Sequence, residues 1–142
     1  MTSAETEVRA VLQNQSEAIR AKDLDRLMSL YSPDVVYFDV VPPLRYVGSA
    51  ALRGRFQRWF AGFQGPIRME TRDLSITVGG DVTVAHWLSR ANGTLTNGVE
   101  VGFWVRATNT CQRLDGTWLV THEHISLPVD VVTRSAATDL VP

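Results

Sequence analysis

Apolar residues come at helical spacing in the first part of the chain and at alternating spacing in the rest. Val8, Val11, Leu12, Ala18 and Ile19 recur every three or four positions, which predicts an amphipathic helix of about five turns opening on a Thr2 and Glu5 capping box. Gln15 falls on the same stripe, so its amide either meets a partner inside or reaches water from the stripe edge. A second, short helix is predicted from Asp23 as N-cap through Leu27, Leu30 and Tyr31, with Pro33-Asp34 ending it. Residues 35–41 then read as a strand that stops at Pro42-Pro43. Gly48-Ser49 opens a third helix, whose Leu52, Phe56, Trp59, Phe60 and Phe63 make a wide aromatic stripe better explained by core packing than by ligand stacking.

From Gly65-Pro66 onward the chain reads as strands separated by Gly79-Gly80-Asp81, Asn97-Gly98 and Asp115-Gly116, an antiparallel meander. Asn-Gly and Asp-Gly favour two-residue type I′ turns, and such turns fix the pairing register. That register sets His86 opposite Asn109, and Asn109 opposite His122, in one row across three strands. The face so defined collects Leu88, Phe103, Val105, Ala107, Cys111, Trp118, Val120 and His124. The other face carries Trp87, Ser89, Trp104, Arg106, Thr108, Thr121, Glu123 and Ile125. We expect helices to close over the first face and leave a pocket, and a second subunit to cover the tryptophans of the second, giving a homodimer. A β-bulge would break this register.

Composition changes the picture by exclusion. The 142 residues, 44% hydrophobic and 20% charged, fit one globular domain. Net charge is −1, and the basic residues are scattered arginines with Lys22 the only lysine, which argues against a nucleic-acid partner. The acidic, polar stretch from Thr2 to Glu7 lacks a signal-peptide layout, and no apolar run approaches about 18 residues, so no membrane partner and a cytoplasmic location are expected. Cys111 stands alone, which excludes an internal disulfide and suits a buried structural thiol. No Cys pair, HExxH or Gly-rich phosphate loop occurs, so no cofactor is expected; a metal on His86, His122 and His124 is a minor alternative, since the spacing of two histidines two apart on a strand permits chelation without requiring it.

The closing motif Asp115-Gly116-x-Trp118-x-Val120-x-His122-x-His124-x-Ser126, after helices, a strand and a further helix, resembles the nuclear transport factor 2-like superfamily in its SnoaL-like branch, including the SgcJ/EcaC type. The association domain of calcium/calmodulin-dependent kinase II looks similar over this segment. The resemblance spans nearly the whole chain. It implies an α+β fold, a cone-shaped curved antiparallel sheet packed against three N-terminal helices and enclosing a pocket, usually dimeric. It implies no single chemistry, because the fold hosts isomerases, cyclases, dehydratases and epoxide hydrolases as well as transport and assembly modules.

By that resemblance Asp39 matches the general base that the steroid isomerase branch carries at the end of its first strand. The oxyanion hole of that branch, a Tyr on the first helix and a protonated Asp on a sheet strand, has no counterpart here. The candidate catalytic residues are Asp39 as base with His122 and His86, imidazole being suited to proton transfer near neutral pH. His124, Asn109, Gln15, Tyr37, Trp118 and Phe103 are the candidate ligand-binding residues, with Tyr46 beside Tyr37 at the mouth. Glu123 falls on the opposite face and outside the expected site. Two functions stay open: a cofactor-free isomerase, cyclase or dehydratase acting on an apolar, oxygenated, polyketide-like metabolite, and a non-catalytic ligand-binding or accessory domain. Asp39 discriminates them, by pointing at an imidazole across the cavity or by capping a turn at its rim.

Overall fold

A computed structural model describes residues 3–142. The apolar stripe of α1 (Ser3–Ala21) is buried at Val8, Leu12, Gln15, Ala18 and Ile19, as its spacing predicts. Thr2, one half of the expected capping box, lies outside the described residues. Asp23 caps α2 (Leu24–Met28), its Oδ1 accepting from the Arg26 amide at 3.1 Å. That helix is shorter than expected. Tyr31 already belongs to β1 (Tyr31–Phe38), where it pairs with Val120, and Pro33 is tolerated because the ladder shifts register between Tyr31 and Val36. β2 (Tyr46–Val47) pairs with β1 and leads into α3 (Ser49–Ala61), which buries Leu52, Phe56 and Phe60.

The long strands β3 (Arg68–Gly79), β4 (Val82–Thr94), β5 (Glu100–Leu114) and β6 (Thr117–Ser126) form the meander. The six-stranded sheet runs β2-β1-β6-β5-β4-β3, with β1 parallel to β6 and every other pair antiparallel. A small hairpin of β7 (Val129–Asp130) and β8 (Ser135–Ala136) follows. The helices pack on one sheet face, and the core joins Val8, Ile19, Tyr31, Phe56, Phe60, Trp118 and Val120.

The register differs from expectation at two places. At Asn97-Gly98 the Leu95 amide donates to the Val99 carbonyl at 2.8 Å, so the loop holds three residues, and Gly98 takes φ +87°. A three-residue hairpin of this kind ends on a glycine in the left-handed region and moves the pairing by one residue relative to a type I′ turn. Ala85 thus faces Asn109, and His86 faces Thr108. At Asp115-Gly116 both residues have positive φ, +49° and +82°, as a type I′ turn requires, and the expected register holds as far as Cys111↔Val120. There a bulge leaves Thr121 unpaired, and the ladder resumes with Thr110↔His122 and Asn109↔Glu123.

Each one-residue slip turns side chains to the other face. β5 keeps its expected orientation, with Phe103, Val105, Ala107, Asn109 and Cys111 inward, whereas β4 and the end of β6 are turned over. His86, Leu88, His122 and His124 go outside; Trp87, Ser89, Glu123 and Ile125 come inside. The two tryptophans expected to share a dimer face are separated. Trp87 lines the interior, and Trp104 stays on the outer face.

Candidate functional site

Between the concave sheet face, α1 and α3 lies a cavity of about 450 Å³. Its walls are mostly apolar, from Leu12, Ile19, Phe56, Trp59, Phe63, Trp87, Phe103 and Ile125. The aromatic stripe of α3 therefore serves packing and cavity wall at once: Phe60 is buried in the core alone, while Phe56, Trp59 and Phe63 also border the space.

The polar groups gather on one side. Glu123 is 4% exposed, and the bulge at Thr121 turns it toward α1. Its Oε1 accepts from Gln15 Nε2 at 3.0 Å and from Asn109 Nδ2 at 3.3 Å, and its Oε2 accepts from the Tyr31 hydroxyl at 2.9 Å. Gln15 Nε2 also donates to the Tyr31 oxygen at 2.9 Å, which closes the network. The inward amide that α1 places on its stripe thus meets a carboxyl over a hundred residues later in the chain. Among the described residues no cation pairs with Glu123. Burial pushes its pKa up, the three donors pull the other way, and the nearby charge of Asp39 adds to the rise. Tyr31 and Tyr37 are both held well above the usual phenol range, by burial first and then by the carboxylate of Glu123. The Asn109 Oδ1 is buried without a hydrogen-bond partner.

Asp39 sits where β1 ends. Its Oδ2 accepts from Arg55 Nε at 2.7 Å, and its Oδ1 accepts from the Val40 amide at 2.7 Å. Both side chains line the cavity and are largely buried, 8% and 17% exposed. The carboxylate therefore borders the cavity as expected, but its partner is a guanidinium and not an imidazole, and one of its oxygens caps the turn.

Of the other sequence candidates, Gln15, Tyr37 and Phe103 line the cavity, and Asn109 lies behind Glu123 with its side chain fully buried. Tyr46 is a core residue whose hydroxyl donates to the Pro42 carbonyl at 3.2 Å. Trp118 faces inward but away from the cavity, its indole N–H donating to Glu7 Oε2 at 2.7 Å and Arg113 lying over the ring. The three histidines do not face the cavity, because the slips described above carry them outside. His86 is exposed on β4. His122 Nδ1 donates to the Val36 carbonyl at 2.7 Å, and the rings of His122 and His124 stand edge-on to Phe38, at 4.9 and 5.3 Å. His122 borders a shallow outer cleft with Ser32, Asp34 and Thr110. Among the described residues no group of three His, Cys, Asp or Glu is placed to hold a metal ion. Cys111 is buried, and burial pushes its thiol up to about 12.

Glu123, Tyr31, Arg55 and Arg58 are among the cavity-side polar groups that the sequence reading missed. Gln15 carried the one usable signal: an amide on a buried stripe needs a buried polar partner, and Glu123 is the acidic residue of the last strand.

Comparison with known proteins agrees with this architecture. The SnoaL-like domain family model matches residues 8–130. The structure of a nuclear transport factor 2-like protein of unknown function from Pseudomonas putida KT2440 is 32% identical, with a TM-score of 0.91 over 100% of this chain and 99% of that one. A protein from Streptomyces avermitilis, provisionally named a dehydratase of the nuclear transport factor 2-like family, is 21% identical with a TM-score of 0.73, covering 85% and 93% of the two chains. One from Novosphingobium aromaticivorans, provisionally named an aromatic ring hydroxylase, is 18% identical with a TM-score of 0.78, covering 89% and 91%. These last two likenesses concern the fold alone. No curated protein sequence matches the chain.

Proposed function

We propose that this chain, which belongs to the SnoaL-like domain family, binds one small, largely apolar, oxygenated molecule and performs cofactor-free acid–base chemistry on it, of the isomerase, cyclase or dehydratase type. The observation that carries this reading is a pair of carboxyls bordering one apolar cavity in unlike surroundings. Asp39 faces a guanidinium; Glu123 faces none, and burial raises its pKa. Two carboxyls whose surroundings differ in this way divide into base and acid. In the proposed reaction Asp39 takes a proton from a carbon next to a carbonyl. Glu123, Tyr31 and Tyr37 supply the hydrogen-bonding side toward which the carbonyl oxygen turns. A polyketide-like intermediate, flat and rich in carbonyls, suits such a cavity.

A non-catalytic binding or accessory role is the second reading, favoured by the occupied oxygens: Asp39 Oδ1 caps Val40, and both Glu123 oxygens accept from the protein. The same proposal places a second copy of the chain on the outer sheet face, where Leu88 and Trp104 are half-buried and Val82 and Val84 are exposed. It keeps the protein in the cytoplasm, without nucleic-acid or membrane partners; among the described residues no helix is long and apolar enough to cross a membrane.

The test is deuterium uptake from solvent at the acidic carbon of a bicyclic ketone such as tetralone, followed by NMR with native mass spectrometry of the purified protein alongside. Catalysed uptake that is lost in Asp39→Asn supports the enzyme. A cavity that binds the ketone without speeding exchange leaves the binding role.

A further inference from the structure

Of the two arginines on the cavity wall, one has no charged partner among the described residues. α3 presents Arg55 and Arg58, one turn apart, along the edge of the cavity. Arg55 is paired with Asp39 through Nε. Arg58 is exposed and has no ion pair or hydrogen bond among the described residues, although it borders the cavity. Its head lies back along the helix, with Nη1 3.4 Å from the position a Cβ on Gly54 would occupy. Of the two acidic residues on the wall, Asp39 is the one beside Arg55, and Glu123 is turned into a network with Gln15, Tyr31 and Asn109. The mouth beside α3 therefore carries two guanidinium groups against one neighbouring carboxylate. A free arginine at the rim of an apolar cavity is suited to a planar anion, which it binds through paired N–H donors.

We infer that the ligand is an amphiphilic carboxylate, an aromatic or alicyclic body in the cavity with its carboxylate held at the mouth by Arg58. This rests on the reading of the cavity as a small-molecule site and adds the charge of the molecule and its orientation. The ring end faces Phe103, Trp87 and the Glu123 network, and the acid end faces α3. One carboxylate matches the one guanidinium on the wall that has no partner among the described residues.

The test compares naphthalenecarboxylic acid with naphthalenecarboxamide, which share a body and differ in charge, by calorimetry and ligand-observed NMR near pH 7. The acid is expected to bind about three- to tenfold more tightly than the amide at low salt, the modest size reflecting a solvent-facing arginine. The preference should shrink as salt is added. In Arg58→Gln the acid should fall to the affinity of the amide, with amide binding unchanged. Arg20→Gln, which removes an exposed charge on α1 outside the cavity wall, should keep the preference. Equal binding of acid and amide by the unaltered protein would overturn the carboxylate while leaving the small-molecule cavity intact. A preference that survives in Arg58→Gln would overturn the role of that residue. If neither probe binds, this inference falls together with the cavity reading.

Discussion

Replacing Glu123 by Leu and by Gln separates the buried network from mere burial. The carboxyl accepts from Gln15 Nε2, Asn109 Nδ2 and the Tyr31 hydroxyl at 3.0, 3.3 and 2.9 Å. In Glu123→Leu the Gln15 amide keeps the Tyr31 oxygen at 2.9 Å, but the Tyr31 O–H and the Asn109 amide lose their acceptor. Two buried donors left unsatisfied cost about 2–6 kcal/mol. The low end is expected, because Tyr31 borders the cavity and water entering there relieves part of the loss. In Glu123→Gln an oxygen remains for Gln15 and Asn109, and only the Tyr31 O–H loses its acceptor, so the cost is about half that of the Leu variant. The two variants also differ from the native protein in pH dependence. Burial raises the carboxyl above its ordinary 4.5, so the folded protein holds that proton to higher pH than the unfolded chain does. The stabilisation from this shift is full below about pH 4.5 and is lost as pH rises through the folded-state pKa. Glutamine does not titrate. Urea unfolding from about pH 4 to pH 8 should therefore show the native protein losing its advantage over Glu123→Gln as pH rises, with other groups cancelling between the two. A Leu variant as stable as the Gln variant, or an advantage that stays flat or grows with pH, would refute the reasoning.

Other substitutions follow from single contacts. Gly98→Ala places a Cβ at φ +87° and should cost about 1 kcal/mol in urea unfolding, whereas substitution at Gly65, which has ordinary φ and open space around it, should cost less. Cys111, with its thiol pushed up to about 12, should resist an aromatic disulfide reagent at pH 8 in the folded protein and react once urea unfolds it. Trp118→Phe removes the 2.7 Å bond to Glu7 and leaves a cavity where the rest of the indole was, so stability should fall by about 1–3 kcal/mol and Glu7→Gln should recover none of it. Trp104→Glu on the outer sheet face should dissociate a dimer, visible as a halved mass by light scattering, without loss of ligand binding in the cavity; a mass that does not change would count against that face as the interface.

The helices and hairpins were legible because their causes are local. The α1 stripe, the Asp23 cap, the α3 aromatics and the positive-φ pair Asp115-Gly116 each depend on residues within a few positions of one another. Asn109 is buried on the face its register gave it; of the alternatives left open, Gln15 takes the inward one, and Asp39 both borders the cavity and caps its turn. The site itself was not legible, since its composition hinges on register. One slip arises because Asn97-Gly98 closes a three-residue loop where the same dipeptide also fits a two-residue one. The other arises at Thr121, where no local propensity demands a bulge.

What favours that bulge is a choice between two buried rows. Continued alternation from Val120 would bury His122 and His124 against Gln15 and Tyr31, where the donors of Gln15 and Tyr31 have use for only the one acceptor nitrogen of each neutral imidazole. The bulge instead buries Glu123, whose two oxygens accept from Gln15, Tyr31 and Asn109 together, and moves both histidines to places where solvent, Phe38 and the Val36 carbonyl receive them. Three of the groups that decide the matter, Gln15, Tyr31 and Val36, sit on α1 and β1, more than eighty residues before the bulge. β1 joins β6 through parallel pairing, Tyr37 beside Glu123, so the N-terminal half of the chain selects which face of the last strand looks inward. On this account the bulge depends on its acceptor. Glu123→Gln should preserve it, because one oxygen still serves Gln15 and Asn109. Glu123→Leu with Gln15→Leu removes the acceptor and one of its three donors, and should weaken the preference for this register. Backbone amide shifts of residues 120–124 report the register directly, and a double variant whose shifts there match those of the native strand would show that Thr121 is bulged for reasons independent of the network.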